Sequence, residues 1–72
     1  MQLNERLKDL RLKRGFTQKA IATGIGVDEV SVQRFEYGTS RPKLENVIKL
    51  ADFFDVSTDY LLGRTDKTAV NR

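Results

Sequence analysis

Leu3, Leu7 and Leu10 recur at i, i+4 and i+7 in a stretch otherwise full of charge, which places three leucines on one face of a helix ending before Gly15. Arg11 falls at the edge of that face, and Leu12 points elsewhere and is expected to be exposed. Thr17 precedes "QKAIA" and offers a hydroxyl cap to a short second helix, with Ala20 and Ile21 facing the core. That helix stops at Gly24 or shortly after, because Gly24 and Gly26 in "GIGV" both favour backbone regions outside a regular helix and predict a tight turn. Asp28 follows as the N-cap of a third helix. At about 100° per residue, Ser31, Val32 and Phe35 group on one side of it, leaving Glu29, Val30, Gln33, Arg34 and Tyr37 on the other. Gly38 closes it, and "GTSRP" is a loop in which Pro42 disfavours a helical Arg41 and sits near the start of the next helix.

Leu44, Val47, Ile48, Leu50, Ala51, Phe53 and Phe54 crowd the fourth helix on most sides, with Glu45, Asn46, Lys49 and Asp52 as its polar face, so this helix is expected to be central. Ser57 caps a last short helix, "STDYLLG", from which Tyr60 and Leu61 or Leu62 pack back before Gly63 ends it. No strand pattern or internal repeat appears. The expectation is an all-α domain of five short helices over residues 1–65, with residues 66–72 a flexible C-terminal tail too poor in apolar side chains to pack. A chain of 72 residues buries only about 60% of its unfolded surface, which leaves no room for a second core.

Composition narrows the chemistry. Cys and His are both absent, which removes thiol nucleophiles, imidazole bases and the usual soft metal ligands. Ser31 and Ser57 therefore have no imidazole to activate them, no glycine-rich phosphate loop is present, and an enzyme is not expected. No metal or other cofactor is implied. Neither a signal peptide nor a membrane span is visible in the charged amino terminus or the short apolar runs, so a reducing cytoplasm is the expected location. The formal charge of +3 is unevenly spread: residues 1–43 hold nine Lys and Arg against five Asp and Glu. A basic first half fits either plain solubility or a polyanionic partner.

Two short helices joined by a glycine-containing turn within that basic half are the ingredients of a helix-turn-helix. Ala22, Gly26 and Val32 strengthen the case: a small residue lets two helices approach, glycine permits the turn, and a β-branched side chain fills the space between them. At this point the chain resembles the XRE-type, phage-repressor-like helix-turn-helix regulators. "TQKAIATGIGVDEVSVQRFEYGTSRP" resembles that family's second helix, turn and recognition helix, and "LENVIKLADFFDVSTDYLLG" its closing helices. The resemblance covers roughly residues 3 to 65. It implies that Gln18 contacts DNA phosphate and supports the recognition helix, and that Arg11 and Glu36 form a partly buried ion pair holding that helix in place. The chain departs from the usual pattern at Asp28, Glu29 and Gly24, where the family commonly has Ser or Thr, a basic or polar residue, and Lys.

A recognition helix lies in the major groove, so its outer side chains are chosen for base edges. On this reading Gln33 bonds adenine, Arg34 bonds guanine or clasps a phosphate, and Val30 meets a thymine methyl. Glu29 either accepts from cytosine N4 or repels phosphate and restrains non-specific binding. Asp28 needs no DNA, since an N-cap carboxylate is explained by the helix itself. Positive charge is expected from the flanks, from Arg41 and Lys43 after the recognition helix and from Lys19 or Arg14 near the second helix, while Lys8, Lys13 and Lys49 are solvated. The resulting expectation is a sequence-specific transcriptional regulator, a repressor of its own or neighbouring genes, acting as a homodimer on an inverted repeat in double-stranded DNA. Phe53, Val56, Thr58 and Leu61 form the expected dimer surface. The rival reading is a protein-interaction module, an antitoxin or anti-repressor, whose DNA binding is secondary.

Overall fold

Short polar caps start α2, α3 and α5, and the five helices assemble around one small core. The computed structural model describes residues 1–68 and contains α1 Leu3–Arg14, α2 Gln18–Ile25, α3 Glu29–Tyr37, α4 Leu44–Phe54 and α5 Thr58–Leu61, with no strand among the described residues. The Thr17 hydroxyl accepts from the Ala20 N–H at 3.0 Å, the Asp28 carboxylate from the Ser31 N–H at 2.7 Å, and the Ser57 hydroxyl from the Tyr60 N–H at 3.0 Å. Each bond satisfies one of the amides that a helix start leaves without a partner. At the other end of α2, Gly26 takes φ 77°, and its N–H returns to the Ala22 carbonyl at 2.9 Å. The left-handed conformation turns the chain from α2 into α3, and glycine reaches it without steric penalty.

Packing follows the sequence periodicity, with corrections. Leu3, Leu7 and Leu10 of α1 are buried, as are Ile21, Ala22 and Ile25 of α2 and Val32 and Phe35 of α3. In α4 the buried set is Val47, Leu50, Ala51 and Phe54, at i, i+3, i+4 and i+7. That is a single stripe, so α4 is amphipathic and not central: it packs on α2 and α5, while Leu44 is 73% and Ile48 46% exposed. Ala20, expected inside, is exposed, because it lies one step around the helix from Ile21, on the side away from Ala22. Two of the four residues expected on a dimer surface are core residues instead, while Phe53 and Thr58 are half-buried. Val56 and Leu61 are almost wholly enclosed by the chain's own core, with Phe53 packed against its edge.

Gly24 does not break α2; it lies inside the helix, and its role is space. A Cβ at this position would run into the Phe53 ring, which also meets Phe16 edge-on at a centroid distance of 4.9 Å and Phe54 at 5.1 Å. Gly24→Ala should therefore destabilise the domain by about 1–3 kcal/mol through overpacking, although alanine is the better helix former. Urea unfolding followed by circular dichroism measures this. Adding Phe53→Leu should recover part of the loss, and a more stable Gly24→Ala protein would refute the account.

The stripe of α1 also contains a charge. Arg6 is 5% exposed, its guanidinium carbon lies 4.1 Å from the Tyr60 ring centroid, and its Nη2 donates to Asp66 Oδ1 at 3.2 Å. Contact with Tyr60 and then Asp66 holds its pKa up against the lowering effect of burial. Asp66 belongs to the stretch expected to be a loose tail. There the Thr68 carbonyl also accepts from the Ser57 N–H at 3.2 Å, so residues 66–68 contact the domain, and the rest of the expected tail lies outside the described residues.

Candidate nucleic-acid interface

The geometry starts from how α3 is held. Both α2 and α1 pack against it, with Val32 fully enclosed and Phe35 nearly so. Glu36, on the same inner side, has a side chain only 4% exposed. Its Oε2 accepts from Arg11 Nε at 2.6 Å, and its Oε1 accepts from Arg11 Nη2 at 3.1 Å and from Gln18 Nε2 at 3.2 Å. The first two contacts form a bidentate guanidinium–carboxylate pair, the geometry in which arginine binds a carboxylate most strongly. Arg11 also donates through Nη1 to the Phe16 carbonyl at 3.2 Å. One guanidinium thus joins α1, the α1–α2 loop and α3, while Gln18 ties in the first turn of α2.

The outer side of α3 is differently made. Val30 is 49% exposed, Arg34 and Glu29 are exposed, and Gln33 is half-buried. Among the described residues Gln33 makes no side-chain hydrogen bond and Arg34 is in no ion pair. Tyr37, seven residues after Val30 and hence on the same stripe, is 79% exposed. It borders a cleft of about 100 Å³ with Lys8, Arg11, Gln18 and Glu36. Its place on the stripe is visible in the sequence.

Asp28 caps this helix, and its bonds with Ser31, assisted by the charge of Arg34, lower its pKa from the ordinary 3.8. Because the folded carboxylate titrates below the unfolded one, its stabilising contribution is present above the ordinary value. It is lost as pH falls through the lowered value. An Asp28→Asn protein is expected to be less stable than the parent at neutral pH, and the gap should close as pH drops below about 4. Chemical unfolding at a series of pH values reads this directly. A gap independent of pH would mean that charge at the cap contributes nothing.

The flanking cations separate into two groups. Lys19, Arg41 and Lys43 are exposed and in no ion pair among the described residues. Arg14, expected as an alternative to Lys19 beside α2, instead donates through Nη1 to the Phe54 carbonyl at 2.7 Å. It closes the C-terminal end of α4, where a cation favours the negative end of the helix dipole. Lys13 pairs with Asp9 one turn away at 3.0 Å.

This arrangement has close relatives. The family described as helix-turn-helix matches residues 7–61. The chain is 35% identical over 71 residues to the HTH-type transcriptional regulator ImmR of Bacillus subtilis (strain 168), covering 99% of this chain and 56% of that protein. It is 43% identical over 63 residues to the cryptic phage CTXphi transcriptional repressor RstR of Vibrio cholerae, covering 88% of this chain and 57% of that one. Among solved structures, the P22 c2 repressor protein in complex with synthetic operator 9T superimposes with a TM-score of 0.82 at 31% identity, over 86% of this chain and 94% of that chain. The chain spans little more than half the length of these two curated relatives. With an all-helical fold of phage-repressor type and a family match over most of its length, this chain belongs to the XRE-type helix-turn-helix family.

Proposed function

We propose that this domain is a sequence-specific reader of double-stranded DNA that represses transcription by laying α3 in the major groove. The observation that carries the reading is the division of α3 itself. Its inner side is fixed by the Arg11–Glu36 pair, while Val30, Gln33 and Arg34 on its outer side are not committed to any internal bond. A helix with its side chains is about 10–12 Å across, which fits the roughly 12 Å width of the groove. In this reading Gln33 bonds adenine N6 and N7, Arg34 bonds guanine O6 and N7 or a phosphate, and Val30 packs on a thymine methyl. Glu29 accepts from cytosine N4 or disfavours phosphate approached without the right base.

Backbone contacts supply the affinity in this scheme. Gln18 uses one amide N–H on Glu36 and keeps the other for a phosphate oxygen. Lys19, Arg41 and Lys43 add charge at the two edges of α3. The repressor assignment draws on RstR, named a transcriptional repressor, and on the P22 c2 repressor, seen with its synthetic operator. The scheme includes a homodimer on an inverted repeat, with half-sites about 34 Å apart, acting in the cytoplasm without a cofactor. No helix among the described residues is long and apolar enough to cross a membrane.

The test is a binding selection against random DNA duplexes at two salt concentrations. An enriched motif, with affinity falling steeply as salt rises, is the expected result. Binding without sequence preference would remove the reading.

A further inference from the structure

We propose that residues 63–68 form a latch that closes over the buried Arg6 and opens as one unit, released by salt, while the five helices stay folded. The family match ends at residue 61, and the last helix ends at Leu61, so the strap is an addition to the helical domain. The latch needs no DNA.

The strap turns back onto the helices it has just left. Gly63, at φ 79°, follows α5, and the N–H groups of Gly63 and Arg64 donate to the Tyr60 and Asp59 carbonyls at 3.0 and 2.8 Å. The chain then reaches α1, where Asp66 Oδ1 accepts from Arg6 Nη2 at 3.2 Å. It ends beside the start of α5, where the Thr68 carbonyl accepts from the Ser57 N–H at 3.2 Å. The turn requires glycine for its positive φ and for its closeness, because a Cβ on Gly63 would collide with the Met1 carbonyl oxygen.

The closed state is weakly held. The Asp66 side chain is fully exposed, so water and salt compete for its carboxylate. Arg6 Nε is buried without an acceptor among the described residues, which works against closure, and opening admits water to it. The guanidinium is not stranded when Asp66 leaves. Its carbon lies 4.1 Å from the centroid of the Tyr60 ring, and that ring belongs to α5 and stays in place. Arg6 can therefore lose the strap without the helices coming apart.

Two neighbouring amides separate opening of the latch from unfolding of the domain. The Ser57 N–H is held by the strap, whereas the Val56 N–H is held by the Ala51 carbonyl of α4 at 3.0 Å. Opening frees the first alone, and unfolding frees both.

Hydrogen exchange of the purified chain, followed by NMR, reads the two amides together. At about 0.05 M salt, where screening is slight, Ser57 is expected to exchange more slowly than an unprotected amide and faster than Val56. Asp66→Ala should speed Ser57 by about two- to fivefold and leave Val56 unchanged. Raising salt to about 0.5 M should speed Ser57 in the parent and not in Asp66→Ala. Gly63→Ala should also release Ser57. Lys67→Ala, in the strap but with its side chain in no ion pair among the described residues, should change nothing. Circular dichroism shows whether Gly63→Ala folds, and Asp66→Ala at an exposed site decides if it does not. An unprotected Ser57 in the parent would overturn the proposal. So would a Ser57 rate indifferent to Asp66→Ala, or Ser57 and Val56 rising together in that variant.

Discussion

Replacing Arg11 by Met is expected to cost about 3–5 kcal/mol of folding stability, the usual result of stranding one member of a buried ion pair. Glu36 would keep only the Gln18 amide at 3.2 Å while its side chain remained 4% exposed. A typical domain has about 5–15 kcal/mol in total, and one of this size belongs near the lower end, so much of the population would unfold at ordinary temperature. Urea unfolding by circular dichroism tests the figure. The double change Arg11→Met with Glu36→Leu removes both charges and should recover most of the loss, since an apolar pair of similar volume often replaces a buried ion pair at little cost. A single variant as stable as the parent would show that water reaches Glu36 and that the pair does not hold α3.

The second large effect concerns recognition. Gln33→Ala and Arg34→Ala are each expected to lower affinity for the selected duplex by about tenfold to a hundredfold, while affinity for a scrambled duplex changes little. Fluorescence anisotropy with both duplexes measures the ratio. Folding should change little, because neither side chain makes a hydrogen bond or ion pair among the described residues and Arg34 acts on Asp28 only through its charge. Arg41→Ala or Lys43→Ala should behave otherwise, weakening both duplexes alike and lowering the salt dependence by about one unit of slope. If Gln33 and Arg34 follow this second pattern, they touch backbone and not bases. If regulation in cells survives the double variant intact, the protein acts through another protein.

The contrast between these experiments follows what the sequence alone makes legible. Caps were readable because they depend on a few neighbouring residues: Thr17, Asp28 and Ser57 each accept from the amide three positions on. The core side of α1 and α3 followed from spacing alone. Ala20, Leu44 and Ile48 did not, because apolar character does not say which of several apolar sides meets another helix. Arg6 was hidden for a different reason. It sits at i+3 from Leu3 and i+4 before Leu10, inside the apolar stripe, but its partners Tyr60 and Asp66 are more than fifty residues away. Arg14 was misplaced similarly, since its acceptor is a backbone carbonyl that no side-chain pattern announces. For the outer face of α3 the membership of the stripe is legible in the spacing, and the structure adds that Glu29, Val30, Arg34 and Tyr37 are exposed while Gln33 is half-buried.

That last feature bears on how such a protein changes over generations. Substitutions at Val30, Gln33 or Arg34 alter side chains that the fold does not lean on, and surface changes of this kind usually shift stability by less than about 0.5 kcal/mol. Under the proposed reading, a descendant acquires a new target by drifting at these three positions, one at a time, without first acquiring a sturdier scaffold.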